Sequence, residues 1–199
     1  MENRRIAVLL SGRGSNFVAI HEAIQRGDLE AEICVVISNV ADAAGLARAR
    51  ELGLNAQCLP SRGIDRLEYD RRLLELLRKY DPELICLAGF MRIISPLLIA
   101  EYKGRILNIH PALLPAFPGL HGQRQALEYG VKITGCTVHF VDEGMDTGPI
   151  IMQRAVEVKE GDTEEVLAAR ILKQEHDLYW RAIAQVLSQR SLMKSRRAQ

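Results

Sequence analysis

The chain has 199 residues, of which 48% are hydrophobic and 26% charged, and its formal net charge is +1. This length predicts one domain, and the nearly balanced charge gives no electrostatic sign of a nucleic-acid partner. No apolar run approaches the roughly 20 residues that a transmembrane helix needs, and the run after Arg5 is too short for a signal peptide. We therefore expect a cytoplasmic protein with neither a membrane nor a nucleic-acid partner.

The four cysteines, Cys34, Cys58, Cys86 and Cys136, all lie in apolar, strand-like segments, and none forms a Cys-x-x-Cys pair. This pattern is typical of buried thiols in a reducing compartment. We expect neither a zinc site nor any other metal centre.

Short aliphatic runs alternate with longer amphipathic segments along the chain. The runs predict strands at residues 5–10, 32–38, 55–59, 83–88, 105–109, 133–141 and 149–158. The segments between them predict helices at residues 15–26, 42–52, 65–80, 95–102, 122–129 and 163–187. Near-continuous apolar strands separated by helices predict an α/β fold with one doubly wound, mainly parallel sheet that helices cover on both faces. We expect this domain to span residues 1–188 and residues 189–199 to form a frayed basic tail.

The first candidate site follows the first strand, where residues 11–17 read SGRGSNF. A glycine loop between a strand and a helix can hold a phosphate, because free backbone N–H groups and the helix dipole face it. No Gly-Lys-Ser/Thr follows, so this is not a Walker loop. It is also a poor dinucleotide motif, because Phe17 replaces the third glycine and Ser38-Asn39 stand where a ribose-binding acid is expected. A tight turn without a ligand is the alternative.

The second candidate site is LAGFMRIISP, residues 87–96. Phe90, Met91, Ile93 and Ile94 are apolar, yet they lie in a loop at the carboxyl edge of the predicted sheet. Such side chains can wall a pocket for a flat aromatic ligand. Packing of the same side chains onto neighbouring helices is an equally open alternative.

The third candidate site is LNIHPALLP, residues 107–115. Asn108 and His110 are two residues apart, so on an extended strand their side chains point to the same side. A neutral amide donor beside a titratable imidazole suits the stabilisation of a developing oxyanion, with acid–base help. A structural histidine is the alternative.

The fourth candidate site is VDEGMDTGPII, residues 141–151, which carries Asp142, Glu143 and Asp146. A solvated acidic loop is the alternative to a functional one. If Asp146 meets His110, it would favour the imidazolium and fix the orientation of the ring. All four stretches follow a strand, where open α/β sheets form their ligand crevice, so we expect one common site.

At these spacings, the four stretches together closely resemble those of the phosphoribosylglycinamide formyltransferase family, folate-dependent enzymes of purine synthesis. The resemblance runs from about Arg5 to about residue 187. It implies a Rossmann-like formyltransferase fold and transfer of a formyl group from the co-substrate 10-formyltetrahydrofolate to the amine of glycinamide ribonucleotide, without a metal. It also implies a monomer or homodimer whose partners are small-molecule substrates.

The resemblance assigns roles to individual residues. Those that match the catalytic trio are Asn108, His110 and Asp146, with an oxyanion stabilised by Asn108 and protonated His110. Those that match the nucleotide site are Gly14, Ser15, Asn16, Leu172, Lys173, Gln174 and Glu175. Those that match the folate site are Arg66, Met91, Arg92, Ile93, Ile94, Asn108, Asp142, Glu143, Gly144, Met145 and Asp146. A cis bond between Leu114 and Pro115 is also implied. One departure is Gln123, where members often carry a histidine two residues after His121.

Two related enzyme classes share the catalytic trio. These are 10-formyltetrahydrofolate hydrolases and methionyl-tRNA formyltransferases, which usually carry a further N-terminal or C-terminal domain. The sequence GLHG after the catalytic segment favours the glycinamide enzyme. A Rossmann-like nucleotide-binding protein without catalytic activity is a more distant alternative, against which the incomplete dinucleotide motif argues.

Overall fold

A computed structural model describes residues 4–197, and it describes side chains as far as residue 193. Its strands are β1 (Arg5–Leu10), β2 (Glu32–Ser38), β3 (Ala56–Cys58), β4 (Leu84–Leu87), β5 (Ile106–His110), β6 (Ile133–Phe140) and β7 (Ile150–Glu157). Its helices are α1 (Ser15–Gln25), α2 (Ala44–Glu51), α3 (Arg66–Tyr80), α4 (Pro96–Glu101), α5 (Gly122–Tyr129) and α6 (Glu164–Arg197). Every strand and helix that the sequence predicts is present.

The strands form one sheet in the order β3-β2-β1-β4-β5-β6-β7. The first five are parallel to one another, whereas β6 and β7 run antiparallel to their neighbours. The predicted α/β fold with a mainly parallel sheet is thus confirmed. The two antiparallel strands bring the end of β5 beside the middle of β6, which matters for the site.

Helices cover the two faces of the sheet, and strand alternation divides the core between them. On β1, Ile6 and Val8 pack into a cluster with Phe17 of α1, while Ala7 and Leu9 pack into a second cluster on the opposite face. Successive side chains of a strand point to opposite faces, so a strand that is apolar throughout must be covered on both. The near-continuous apolar runs in the sequence reflect this arrangement.

The last helix differs most from its prediction. It continues to Arg197, whereas the sequence predicts an end at residue 187 and a frayed tail from residue 189. No glycine or proline interrupts residues 188–197, so nothing in the chain forces the helix to end earlier. Arg190 also contacts Glu83 at 3.3 Å and ties this extension to the start of β4. Residues 198–199 lie outside the described residues, and the division into a domain and a tail stays a prediction.

The order of the strands reverses at β1. The chain moves outwards from β1 to β2 and β3, and then returns to the other side of β1 to form β4 and β5. In open α/β sheets, ligands bind outside the carboxyl ends of the strands at such a reversal. The loops that follow β1, β4 and β5 meet at this edge, and they carry three of the four stretches singled out in the sequence.

Candidate functional site

The centre of the site lies where β5 and β6 pair. Asn108 stands opposite His139 in the ladder, and His110 stands opposite Thr137. The amide Nδ2 of Asn108 lies 3.2 Å from Nε2 of His139. Both histidines are buried. The pairing of the strands therefore gathers an amide and two imidazoles on one side of the sheet.

Asp146 reaches this cluster from the loop that links β6 to β7. Its Oδ2 lies 3.4 Å from Nδ1 of His110, and its Oδ1 lies 3.5 Å from Nε2 of His139. The backbone N–H of Gly119 donates a hydrogen bond of 2.8 Å to Oδ2. Asp146 has a positive φ of 56°, which aspartate tolerates better than most residues. One carboxylate thus connects both histidines.

Burial alone would raise the pKa of the Asp146 carboxyl. The contact with His139, the Gly119 N–H and the charge of His110 together lower this pKa by more, so that it lies below its ordinary value. Asp146 is therefore a carboxylate throughout the neutral range. It supplies the negative charge that an imidazolium at His110 requires.

Oxygen atoms face both ring nitrogens of His110. Its Nδ1 faces the Asp146 carboxylate, and its Nε2 lies 2.8 Å from the carbonyl oxygen of Phe117. Both partners only accept hydrogen bonds, and only an imidazolium carries a donor on each nitrogen. His110 is thus held between a carboxylate and a backbone carbonyl.

Hydrogen bonds from β6 and β7 fix the segment behind His110. The Thr137 hydroxyl donates to the carbonyl of Ala112 at 2.7 Å and accepts from the Leu114 N–H at 3.0 Å. The side chain of Gln153 donates to the Leu114 carbonyl at 2.8 Å. The bond between Leu114 and Pro115 is cis, as the resemblance implies. The segment is thus tied to the sheet rather than free in solvent.

A cavity of about 360 Å³ opens beside this cluster. Its lining combines apolar side chains, two arginines and the acidic loop, and consists of Arg66, Leu87, Phe90, Arg92, Ile93, Ile94, Asn108, His139, Val141, Asp142, Glu143, Gly144, Met145 and Asp146. All residues predicted for the folate site are in this lining except Met91. The side chain of Met91 is 67% exposed, and its backbone N–H donates to Ser11 at 2.7 Å.

Arg92 is held at the wall of this cavity by its neighbours. Its guanidinium lies over the ring of Tyr69, 4.4 Å from the ring centroid. It also donates to the carbonyl oxygens of Ser61 and Ile64 at 3.4 and 3.5 Å. Because the cation is already oriented, it loses little conformational freedom when it pairs with an anionic group of a ligand.

The predicted phosphate loop, residues 12–16, leads into α1. Gly14 precedes α1 with a positive φ of 71°. A Cβ on Gly14 would lie 2.9 Å from Cα of Gly45, so only glycine fits here. The Gly45 N–H also donates to the carbonyl of Gly12 at 3.0 Å. Helix α2 therefore packs directly against this loop.

A buried carboxylate stands beside this loop. Asn16 donates to Glu175 of α6 at 2.7 Å, and both side chains are buried. Burial raises the pKa of Glu175, and the hydrogen bond from Asn16 opposes this only in part. The other carboxamide atom of Asn16, its Oδ1, is buried without a hydrogen-bond partner. The start of α1 and helix α6 thus share a buried polar pair with one unsatisfied oxygen.

The remaining predicted nucleotide residues are less enclosed. Leu172 and Gln174 are half-buried on α6, Lys173 is exposed, and Ser15 is half-buried at the start of α1. Within the predicted nucleotide set, the hydrogen bond between Asn16 and Glu175 is thus the direct link between the loop and α6.

His139 is not among the residues that the sequence predicts for the site. It lies within an apolar strand, and the pattern gives no sign that it opposes Asn108. The sign becomes visible only when β6 is known to run antiparallel to β5 with Asn108 and His139 in register. The one local signal is a histidine within a mostly apolar strand, just before the acidic loop, and it does not show which residue His139 contacts.

Neither a metal cluster nor a membrane span occurs in the part of the chain that the structure describes. No group of three histidine, cysteine or acidic side chains there has a metal-binding arrangement. No helix there is both long and apolar enough to cross a bilayer.

Known proteins resemble this chain over nearly its whole length. Residues 4–183 match the formyl transferase family. The chain is 47% identical to the phosphoribosylglycinamide formyltransferase of Escherichia coli (strain K12), over 87% of this chain and 82% of that protein. It is 49% identical to the trifunctional purine biosynthetic protein adenosine-3 of Drosophila pseudoobscura pseudoobscura, over 93% of this chain but only 14% of that protein. The glycinamide ribonucleotide transformylase 1 of Symbiobacterium toebii has a similar structure, with a TM-score of 0.89 and 51% identity over 92% of this chain and 86% of that one.

Proposed function

The chain belongs to the formyl transferase family, and from that premise we propose that it transfers a formyl group to the amine of 5'-phosphoribosylglycinamide. The donor is 10-formyltetrahydrofolate, and the products are formylglycinamide ribonucleotide and tetrahydrofolate, a step of de novo purine biosynthesis. The single observation that carries the proposal is the contact of Asp146 with His110 and His139 beside Asn108. We further propose that the enzyme works in the cytoplasm as a monomer or homodimer.

The cavity beside Asn108 is the proposed folate site. Leu87, Phe90 and Ile94 provide apolar walls for the flat pterin ring. Arg66 and Arg92 line the same cavity and can pair with the carboxylates of the folate, since a guanidinium matches a carboxylate in a bidentate geometry. Met91 belongs to the same loop, and its side chain lies outside the cavity lining.

The loop at the start of α1 is the proposed nucleotide site. The backbone N–H groups of Gly14, Ser15 and Asn16 would bind the phosphate, where the dipole of α1 also favours a negative charge. Glu175 would accept a hydrogen bond from the glycinamide part of the nucleotide. Leu172, Lys173 and Gln174 complete this site on the same helix.

The reaction begins when the primary amine attacks the formyl carbon. A carbon–nitrogen bond forms, and the carbonyl electron pair moves onto oxygen to give a tetrahedral oxyanion. The Asn108 amide would donate a hydrogen bond to this oxyanion, and such a donor is worth about 3 kcal/mol, or more than a hundredfold in rate. The two N–H groups of a protonated His110 face Asp146 and the Phe117 carbonyl, so its ring would stabilise the oxyanion by its positive charge. When the oxyanion collapses, the bond to the folate nitrogen breaks.

The reaction also requires a proton to pass from the attacking amine to the folate nitrogen. The attacking amine must lose one proton, and the departing folate nitrogen must gain one. Asp146 and His110 lie 3.4 Å apart, and a water molecule held between them and the intermediate can accept and return this proton. His139 contacts both Asn108 and Asp146, and so it holds the donor and the carboxylate in one geometry.

The proposal is tested by following the release of deformylated folate by absorbance in two cuvettes, one with the nucleotide and one without. Release only when the nucleotide is present is the expected result. Equal release in both cuvettes would make the protein a hydrolase and overturn the proposed acceptor. No release from folded protein in either cuvette would overturn formyl transfer altogether.

A further inference from the structure

Three polar side chains at the ends of neighbouring strands form a continuous hydrogen-bonded chain. Ser11 follows β1, Asn39 follows β2, and Ser61 follows β3. The Ser11 hydroxyl donates to Oδ1 of Asn39 at 2.6 Å, and Nδ2 of Asn39 donates to the Ser61 hydroxyl at 3.0 Å. Asn39 and Ser61 are each only 8% exposed. None of the roles assigned above uses these three residues.

Both ends of this polar chain contact the loop that follows β4. The backbone N–H of Met91 donates to the Ser11 hydroxyl at 2.7 Å, and the guanidinium of Arg92 donates to the Ser61 carbonyl at 3.4 Å. Met91 and Arg92 are adjacent, so the contacts close into a ring. Since the Ser11 oxygen accepts from Met91, its hydrogen is free for Asn39, and the carboxamide of Asn39 has one orientation.

Asn39 occupies the position that dinucleotide-binding proteins use for a ribose-binding acid. Here both polar atoms of its side chain are engaged by Ser11 and Ser61. A sugar at this position would have to break these bonds and enter a buried region. This arrangement accounts for the unusual Ser38-Asn39 sequence, since the end of β2 supports a loop instead of a ligand.

Ser11 also adjoins the phosphate loop, but other bonds hold that loop. The Gly45 N–H donates to the carbonyl of Gly12, and the Val18 N–H donates to the carbonyl of Gly14. These are backbone bonds, which a change of the Ser11 side chain leaves in place. The Ser11 hydroxyl therefore holds the loop after β4 and not the phosphate loop.

We propose that Ser11 and Asn39 are positioning residues for the loop Met91–Ile94. They hold this loop where the bound folate presents its formyl group to the amine of the nucleotide. This inference rests on the proposed function for its kinetic consequence, but not for its structural one. A donor misplaced by about 1 Å lowers the rate about a hundredfold. Loss of this ring of hydrogen bonds should therefore lower kcat/KM for the folate and leave the KM for the nucleotide nearly unchanged.

One substitution tests this role, with a rescue variant at the same position and a control elsewhere. Ser11→Ala removes the hydroxyl at the centre of the ring, and Ser11→Thr restores a hydroxyl at the same position. Thr134→Val is the control for the loss of a buried hydroxyl, because Thr134 on β6 is buried and its hydroxyl has no hydrogen-bond partner.

The first readout is amide hydrogen exchange in the free protein. We expect the amide of Met91 to exchange at least about tenfold faster in Ser11→Ala, since its acceptor is gone. Ser11→Thr and Thr134→Val should exchange at the wild-type rate in this loop. Unchanged exchange at Met91 in Ser11→Ala would overturn the proposal, whatever the activity of the protein proves to be.

The second readout separates the two substrates. In Ser11→Ala we expect kcat/KM for the folate to fall about tenfold or more, while KM for the nucleotide stays within about twofold. Ser11→Thr should recover most of the loss. A purely structural role would lower the amount of folded protein and leave both KM values unchanged, and that result would overturn the inference. If the wild-type protein transfers no formyl group, the proposed function fails, and the exchange experiment still decides the positioning role.

Discussion

Replacing Asp146 with asparagine removes one negative charge from the centre of the site and keeps the shape of the side chain. At the 3.4 Å between Asp146 and His110, an effective dielectric of about 20 gives an ion-pair attraction of about 5 kcal/mol. The Asp146 side chain is 14% exposed, so water screens part of this attraction, and an amide dipole replaces another part. We therefore expect a loss of about 3 kcal/mol in transition-state stabilisation, or at least a hundredfold in kcat.

The assay is steady-state formyl transfer with both substrates varied, together with calorimetric binding of the nucleotide. Asp146→Asn should lower kcat at least a hundredfold and leave nucleotide affinity and thermal stability nearly unchanged. Asp142→Asn is the matched control for kcat, because it removes a carboxylate from the same loop whose contacts are with Gly144 and Thr147 rather than with a histidine. Since Asp142 lines the proposed folate cavity, we expect its loss to change the folate KM and to leave kcat within a few-fold of wild type. A turnover of Asp146→Asn within a few-fold of wild type would refute the role of the ion pair.

Three further substitutions have defined outcomes. His139→Ala should lower kcat about tenfold or more, because Asp146 loses its contact on one side. The imidazole of His139 acts by alignment, so the folate KM should change less than kcat. A larger change in the folate KM than in kcat, measured by steady-state kinetics, would contradict this. The raised pKa of Glu175 means that its contribution to stability is present below about pH 4.3, its unfolded value, and is lost as pH rises through the folded value. Glu175→Gln should therefore melt at a higher temperature than wild type at pH 8 and at the same temperature near pH 4, while its nucleotide affinity falls. Gly14→Ala should raise the nucleotide KM at least tenfold, whereas Gly53→Ala, with a similar φ of 72° but no atom within 4 Å of its Cβ, should leave it unchanged.

The strands of the sheet can be predicted from the sequence because each is marked by a local pattern of apolar residues. Runs such as RIAVLL and EICVVIS are apolar throughout, and only a strand covered on both faces requires that pattern. Gly130 and Asp81-Pro82 mark the ends of α5 and α3 for equally local reasons. The sequence predicts an end of α6 that is too early, because the composition after residue 188 is polar and basic although no residue there breaks a helix.

The site can be predicted from the sequence only in part, because much of it depends on contacts between segments that are distant in the chain. Asn108 and His110 lie on one side of a single strand, so their spacing alone places them together. His139 joins them through the register of β6 against β5, which no local pattern specifies. Glu175 resembles an exposed helix residue until α6 packs on α1 and buries it, and only the family resemblance pointed to it beforehand.

The central claim is that the formyl group moves to the amine of the nucleotide. The most direct test is a single-turnover reaction with 10-formyltetrahydrofolate labelled with carbon-13 in its formyl group, in the presence of excess glycinamide ribonucleotide, followed by nuclear magnetic resonance. The account predicts that the label appears as a formamide carbon on the nucleotide at the rate at which tetrahydrofolate forms. Label recovered as free formate, with unmodified nucleotide, would contradict it.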